Sequence, residues 1–285
     1  MLAHRIPSIL PELTFEEALE ITKVHSISGL VSEENPLILK RPFRSPHHTI
    51  TETSLIGGGR IPKPGEITLA HYGVLFLDEL LEFNKSILEL LRCPLEDRVV
   101  TISRVNSSIT YPCNFIFVAS MNPCPCGYYG STEKSCICRN DQIKKYLHRI
   151  SGPLLDRIDI HIEVQGVKYK KLTDNSKIED SKTIRARVNN ARKIQMKRYK
   201  KYGILYNSEL TPGLISKYCI LSKECRKILE DAFEKMGLSA RAYSRILKVA
   251  RTIADLDNEE NINIKHLAEA IQYRNLDRKY WKRSV

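Results

Sequence analysis

The chain has 285 residues, enough for one large domain or two smaller ones with their own cores, and its 42% hydrophobic and 27% charged content excludes wholesale disorder. A net charge of +12 points to a polyanionic partner, nucleic acid or nucleotide, although a merely basic protein fits the same balance. No apolar run is long enough for a membrane-spanning helix and the N-terminus has no signal-peptide pattern, so a cytoplasmic location is expected, with the eight cysteines reduced or metal-bound.

Residues 1–10 read as a short helix stopped around Pro7 and Pro11. A chain that begins inside an apolar helical pattern without a cap reads as a piece of a longer one. Thr14-Phe15-Glu16-Glu17 fits an N-cap with acids in the first turn, and Ala18, Leu19 and Ile21 carry the apolar side of the helix that follows. Residues 26–35 read as a loop. In the stretch from Arg41 to Thr49 two prolines forbid regular helix and predict an ordered loop or an extended segment. Its His47-His48 pair beside Arg41 and Arg44 could touch phosphate or could simply bond to backbone. Gly57 to Gly65 contains no G-K-[ST], and its prolines remove N–H donors that a phosphate loop needs; it reads as a hairpin or loop insertion.

Gly73-Val74-Leu75-Phe76-Leu77-Asp78-Glu79 organises the chain. Four apolar residues suit a short strand buried on both faces, and two carboxylates follow at its C-terminal tip. Open parallel sheets bind ligands at that end. In a Walker-B reading Asp78 holds Mg²⁺ and Glu79 polarises the attacking water; the alternative is a strand that ends in a solvated acidic turn. Residues 80–91 predict a helix ended by Pro94. Residues 95–111 alternate as a β-hairpin turning at Asn106-Ser107, with Arg98 and Arg104 as candidate nucleic-acid contacts or plain solubilising charges. Residues 115–119 predict a second continuous apolar strand. Asn122, just beyond it, could orient a water or a γ-phosphate.

Cys124, Cys126, Cys136 and Cys138 lie in one short polar loop and could converge on a structural Zn²⁺, although C-x-C spacing is tighter than usual; the alternative is a set of packed thiols. Arg157 stands at the edge of a predicted strand over 158–164, where it could reach a neighbouring subunit's phosphate or form an ordinary surface pair. Residues 165–180 turn polar and read as a linker. Everything beyond is predicted helical: 181–201 with a basic face that is either solvated or DNA-facing, then 222–236, 240–256 and 263–274, with Gly237 and Ser239 as stop and cap. Arg241, in a first helical turn, is unfavourable for the helix dipole unless it meets a phosphate.

Taken together, the stretches 41–49, 57–65, 73–79, 121–127 and 151–159, continued by Ser239-Ala240-Arg241-Ala242-Tyr243 and Tyr273-Arg274, resemble the magnesium-chelatase-like AAA+ ATPases of the YifB/ComM family over essentially the whole chain. The resemblance implies an α/β AAA+ P-loop-type core with β-hairpin insertions at 1–165, a linker at 166–180 and a helical C-terminal lid domain at 181–285. It also implies Asp78 and Glu79 as Walker B, Asn122 as sensor 1, Arg157 as a trans-acting finger, Arg241 as sensor 2 on the ATP phosphates, and residues 98–111 as a pore-facing hairpin. The implied cofactors are ATP and Mg²⁺, the implied assembly is a hexameric ring, and the implied substrate is DNA, in branch migration during natural transformation. The departure is the missing G-K-[ST] loop, together with the missing N-terminal Lon-protease-like domain. The sequence is therefore expected to be the C-terminal part of such an ATPase, with an incomplete core and little or no ATPase activity alone; a non-catalytic DNA- or partner-binding fragment is the alternative.

Overall fold

The computed structural model describes residues 2–104, 107–131, 134–164, 179–274 and 276. The chain divides into two compact units, Met1–Arg157 and Ile158–Val285. The first is mixed α/β. Its described strands are β1 (Phe43–Arg44), β2 (Gly57–Gly58), β3 (Lys63–Pro64), β4 (Val74–Leu77), β5 (Val99–Arg104), β6 (Ser107–Pro112) and β7 (Ile116–Ala119). A parallel sheet runs in the order β1-β4-β7, and β2-β3 and β5-β6 are antiparallel hairpins.

The four apolar residues of β4 are all buried because the strand is paired on both edges and covered on both faces. Gly73 at its entrance is forced by close approach: a Cβ there would lie 2.0 Å from the Pro42 carbonyl oxygen, and that carbonyl accepts from Val74 N at 2.8 Å. β7, expected from its composition to be as buried as β4, is not. Among the described strands it pairs only with β4, Ile116 is 44% exposed, and the next three residues are half-buried.

The helix Phe15–Ile27 starts with a reciprocal capping box, in which Thr14 Oγ1 accepts from Glu17 N (3.2 Å) and Glu17 accepts from Thr14 N (3.1 Å). It runs past Ser26, where the sequence predicted a loop. Two proline readings are also corrected. Pro7 sits inside the first turn of helix Ile6–Ile9, and Pro94 inside the first turn of helix Arg92–Asp97. Proline at such positions removes only an N–H that has no intrahelical partner. The break predicted at Pro94 falls earlier: 80–91 is split into a 3-10 turn (Leu80–Glu82) and the helix Lys85–Leu90. In the β5-β6 hairpin Val100, Ile102 and Tyr111 are buried, and the Tyr111 hydroxyl donates to Pro62 O at 2.9 Å. Ser107 belongs to β6 rather than to the turn, and Asn106 lies outside the described residues.

The second unit is helical: Ser181–Tyr199, Pro212–Tyr218, Lys223–Met236, Ala240–Leu256 and Ile264–Gln272. Asp180, Ser222, Ser239 and Asn263 each cap a helix through a side-chain acceptor, and Gly237 ends one at φ +62°. Leu229, Ile246, Leu247, Ala250 and Leu267 lie in its core. Arg198, read from sequence as part of the basic face of its helix, is instead a buried-pair residue. It gives Asp255 hydrogen bonds of 2.5 and 3.0 Å, and Asp255 also receives Arg251 Nε (3.2 Å) and Asn207 Nδ2 (2.8 Å).

The strand expected over 158–164 is absent: this segment pairs with no strand among the described residues, and Ile160, Ile162 and Val164 are exposed. Alternation makes a strand only where a neighbour supplies the ladder. Here the backbone contacts are Ile158 O with Arg274 Nη1 and His161 N with Tyr273 O (2.9 Å). The linker predicted over 166–180 falls outside the described residues except for 179 and 180. Among the described residues no helix is long and apolar enough to cross a membrane.

Candidate functional site

The first unit brings the candidate residues Asp78 and Glu79 to the end of β4, beside the end of β7. The parallel register of these strands pairs Leu77 with Ala119, so Asp78 and Ser120 emerge side by side. Ser120 Oγ is hydrogen-bonded to Asp78 Oδ1, which also accepts from Glu79 N at 3.1 Å. Further bonds tie the two tips: Ser120 N to Leu77 O (3.0 Å) and Leu80 N to Ser120 O (2.8 Å). Asp78 and Glu79 are both exposed, and Glu79 takes a left-handed backbone conformation, φ 52° and ψ 49°. Among the described residues Asp78 Oδ2 carries no hydrogen bond. Exposed carboxylates with one oxygen anchored and one open suit a hydrated Mg²⁺, with Asp78 as the residue to hold it.

Of the His47-His48 pair, His48 comes nearest to this site, its Nδ1 4.0 Å from Glu79 Oε2 and its ring edge-on to Phe83. The two arginines suggested with that pair are committed elsewhere. Arg41 donates to the carbonyls of Pro11, Glu12 and Tyr72 and to Glu17, and Arg44 makes a two-point bond with Glu66, 2.6 Å on each side. The Glu66 carboxylate raises the Arg44 pKa. These are structural ties, not free phosphate ligands.

Asn122 is exposed on the loop that leaves β7, and its Oδ1 lies 4.0 Å from where a Cβ on Gly127 would be. Arg157, only 8% exposed in its side chain, bonds to Glu96 and to Pro153 O (2.7 Å) within its own unit. Arg98 stands at the base of the β5-β6 hairpin as the left-handed cap of helix Arg92–Asp97, φ 58°. Arg104 is at the far end, paired with Ser107, about 20 Å away at strand spacing. In the second unit Arg241 is exposed in the first turn of Ala240–Leu256, and among the described residues it makes no ion pair.

The four loop thiols converge. The Cys124–Cys126, Cys124–Cys136 and Cys126–Cys136 sulfur distances are 3.4, 3.6 and 3.6 Å, and all four sulfurs, Cys138 included, lie within 4.8 Å of one another. Backbone N–H groups of Tyr128 and Ile137 bring the Cys126 thiol down to about 6.

Sequence reasoning missed Ser120. The signal was present: an apolar run of four residues ends at Asp78 and one of five ends at Ser120, and parallel strands that end together place those two polar residues side by side.

The family model described as "Magnesium chelatase, subunit ChlI" matches residues 1–172, and that for the "subunit ChlI C-terminal" matches 178–274. The Escherichia coli "Uncharacterized protein YifB" is 44% identical over 282 residues, covering 98% of this chain and 54% of the relative. The Salmonella typhimurium protein of the same name is 44% identical over 279 residues, 98% and 54%. The Haemophilus influenzae "Competence protein ComM" is 46% identical over 277 residues, 96% and 53%. The chain thus spans about half the length of these curated relatives. With both family models matched in order along one chain, and with identity of this level along nearly all of it, the chain belongs to the magnesium chelatase subunit ChlI family, together with YifB and ComM.

Proposed function

We propose that this chain is the Walker-B, sensor and lid portion of an AAA+ ATPase motor that acts on DNA, in branch migration during natural transformation. In this reading Asp78 holds Mg²⁺ and Glu79 polarises the attacking water. Asn122 reads the γ-phosphate, Arg157 serves a neighbouring subunit's ATP, and Arg241 reaches the phosphates from the lid. Residues 1–165 are the core and 181–285 the lid, and the working assembly is a hexameric ring. Arg98 and Arg104 are candidate DNA contacts, with Arg104 favoured by its position at the far end of the hairpin. The observation that supports the reading best is the Asp78–Ser120 bond across parallel neighbours, which puts an acidic tip and a polar tip at the ligand-binding end of the sheet. Arg157 must exchange Glu96 for phosphate to act as a finger.

Phosphate loops of the G-K-[ST] type occur nowhere in these 285 residues, so the chain by itself is expected to hydrolyse ATP poorly or not at all. The test joins it to the half of the Haemophilus relative that this chain does not match. The chimera should hydrolyse ATP with Mg²⁺, and Glu79→Gln should cost about 100-fold or more, the scale of a lost general base. Turnover indifferent to Glu79→Gln overturns the catalytic assignment. A second reading, a non-catalytic DNA-binding module, is favoured by the +12 charge together with the missing loop. It requires DNA affinity without nucleotide that falls steeply with salt.

A further inference from the structure

The loop that leaves β7 is fixed at two points, and Asn122 stands between them. At the near end Ser120 is bonded through its N–H, carbonyl and hydroxyl into the tip of β4. At the far end Cys124, fully buried, enters the four-thiol cluster. Among the described residues of that loop Tyr128 and Tyr129 are about 40% exposed and Ile137 is 87% exposed, so none of these three is a fully buried core residue.

The sulfur spacing discriminates between the ways to close such a loop. A disulfide needs about 2.05 Å, far below the 3.4–3.6 Å found. A tetrahedron with metal–sulfur bonds of about 2.3 Å has edges of about 3.8 Å, close to these distances. Gly127, at φ +82°, lets its N–H return to Cys124 O at 3.0 Å, and Tyr129 N–H then donates to Cys124 Sγ at 3.3 Å. Such N–H donors steady a metal-bound thiolate.

We propose that Cys124, Cys126, Cys136 and Cys138 bind one Zn²⁺ as a closed tetrathiolate site, and that this metal holds Asn122 at the β4-β7 tips. Thiols lose their protons to solvent on binding, and no metal position stays open, so the ion has no catalytic role. Asn122 Oδ1 faces Gly127 inside the same loop, so the metal that fixes the turn fixes the amide. The metal site stands independently of the nucleotide reading; only the value of placing Asn122 rests on it.

The test uses the full chain purified under reducing conditions. Elemental analysis should give about one zinc per chain. Cys126→Ser and Cys138→Ser should lose it, while Cys93→Ser and Cys219→Ser should keep it, with circular dichroism reporting folding in each. Because a ligand variant could unfold, wild-type chain is also stripped with chelator and titrated with Co²⁺, which should show thiolate charge-transfer bands and a tetrahedral visible spectrum. In NMR the side-chain amide of Asn122, assigned by Asn122→Asp, should move on chelation while that of Asn207 does not. A folded chain that holds no zinc and takes up no Co²⁺, or one that holds iron instead, overturns the zinc site. A zinc-loaded chain whose Asn122 amide ignores chelation overturns the positioning role. Failure of the nucleotide reading appears separately, as indifference of the chimera to Glu79→Gln with zinc content unchanged.

Discussion

The hydroxyl of Ser120 is bonded to the carboxylate of Asp78, 42 residues away in sequence and adjacent across the β4-β7 pair. The bond both closes the sheet tip and orients the acid. Ser120→Ala should cost about 0.5–1 kcal/mol in urea unfolding, at the low end for a hydrogen bond because both groups are exposed to water. Ser120→Thr should restore most of the loss; equal stability of all three proteins would mean the bond contributes nothing.

Asp255 anchors a buried ionic cluster in the second unit. It is fully buried and is met by two guanidinium groups and the Asn207 amide. Asp255→Ala leaves Arg251, itself 2% exposed, without its counter-charge. Removing one partner of such a pair costs about 3–5 kcal/mol. Denaturant midpoints should show the helical unit lost first in this variant, whereas Lys265→Ala, which breaks an exposed pair to Asp257, should cost under about 1 kcal/mol.

Two buried histidines make the first unit acid-sensitive. Burial lowers the His25 pKa, with its Nε2–H given to Leu69 O at 3.0 Å, and burial likewise lowers that of His71 despite Glu20 at 3.6 Å. Both therefore fold neutral with values below the ordinary 6.5. Below that pH the unfolded chain takes up protons that the folded chain refuses. Stability is fully present above 6.5 and falls as pH drops toward the lowered folded values, by up to about 1.4 kcal/mol per pH unit for each group. Urea midpoints measured across this window should show the slope, and His25→Gln, which keeps a donor for Leu69, should flatten it.

Gly73 tests the sheet itself. A methyl group there would meet the Pro42 backbone at 2.0 Å, and neither strand can retreat without giving up the Val74–Pro42 bond. Gly73→Ala should cost about 3 kcal/mol or more, the upper range for overpacking. Gly152→Ala, where nothing lies within 4 Å, serves as the control and should be near neutral by the same measurement.

What the sequence revealed follows from how local each signal is. The caps at Thr14 and Ser239 and the stop at Gly237 were readable because the partner lies within a few residues, whereas Ser222 and Asn263, read as first helical residues, are caps that stand one position outside their helices. Burial of β4 was readable because an unbroken apolar run has few other uses. β7 carried the same signal, yet its exposure depends on what pairs with its far edge, which its own residues do not encode. The same holds for 158–164, whose alternation invited a ladder that no described strand provides. Arg198 and Arg157 looked like surface charge because their partners, Asp255 and Glu96, are 57 and 61 residues away. The convergence of the four cysteines was legible from proximity alone, and the Asp78–Ser120 contact only after the strand register was known.

Glu79 adopts a backbone shape that ordinary side chains avoid at a cost of roughly 1–2 kcal/mol, and that glycine adopts freely. A chain under selection for robustness alone would place glycine there. Glu79→Gly should thus raise the melting temperature while deleting the carboxylate proposed to polarise water, so that thermal screening for hardier variants would select against the residue on which that proposal rests. The tip of β4 thus keeps a side chain where backbone durability alone would favour none.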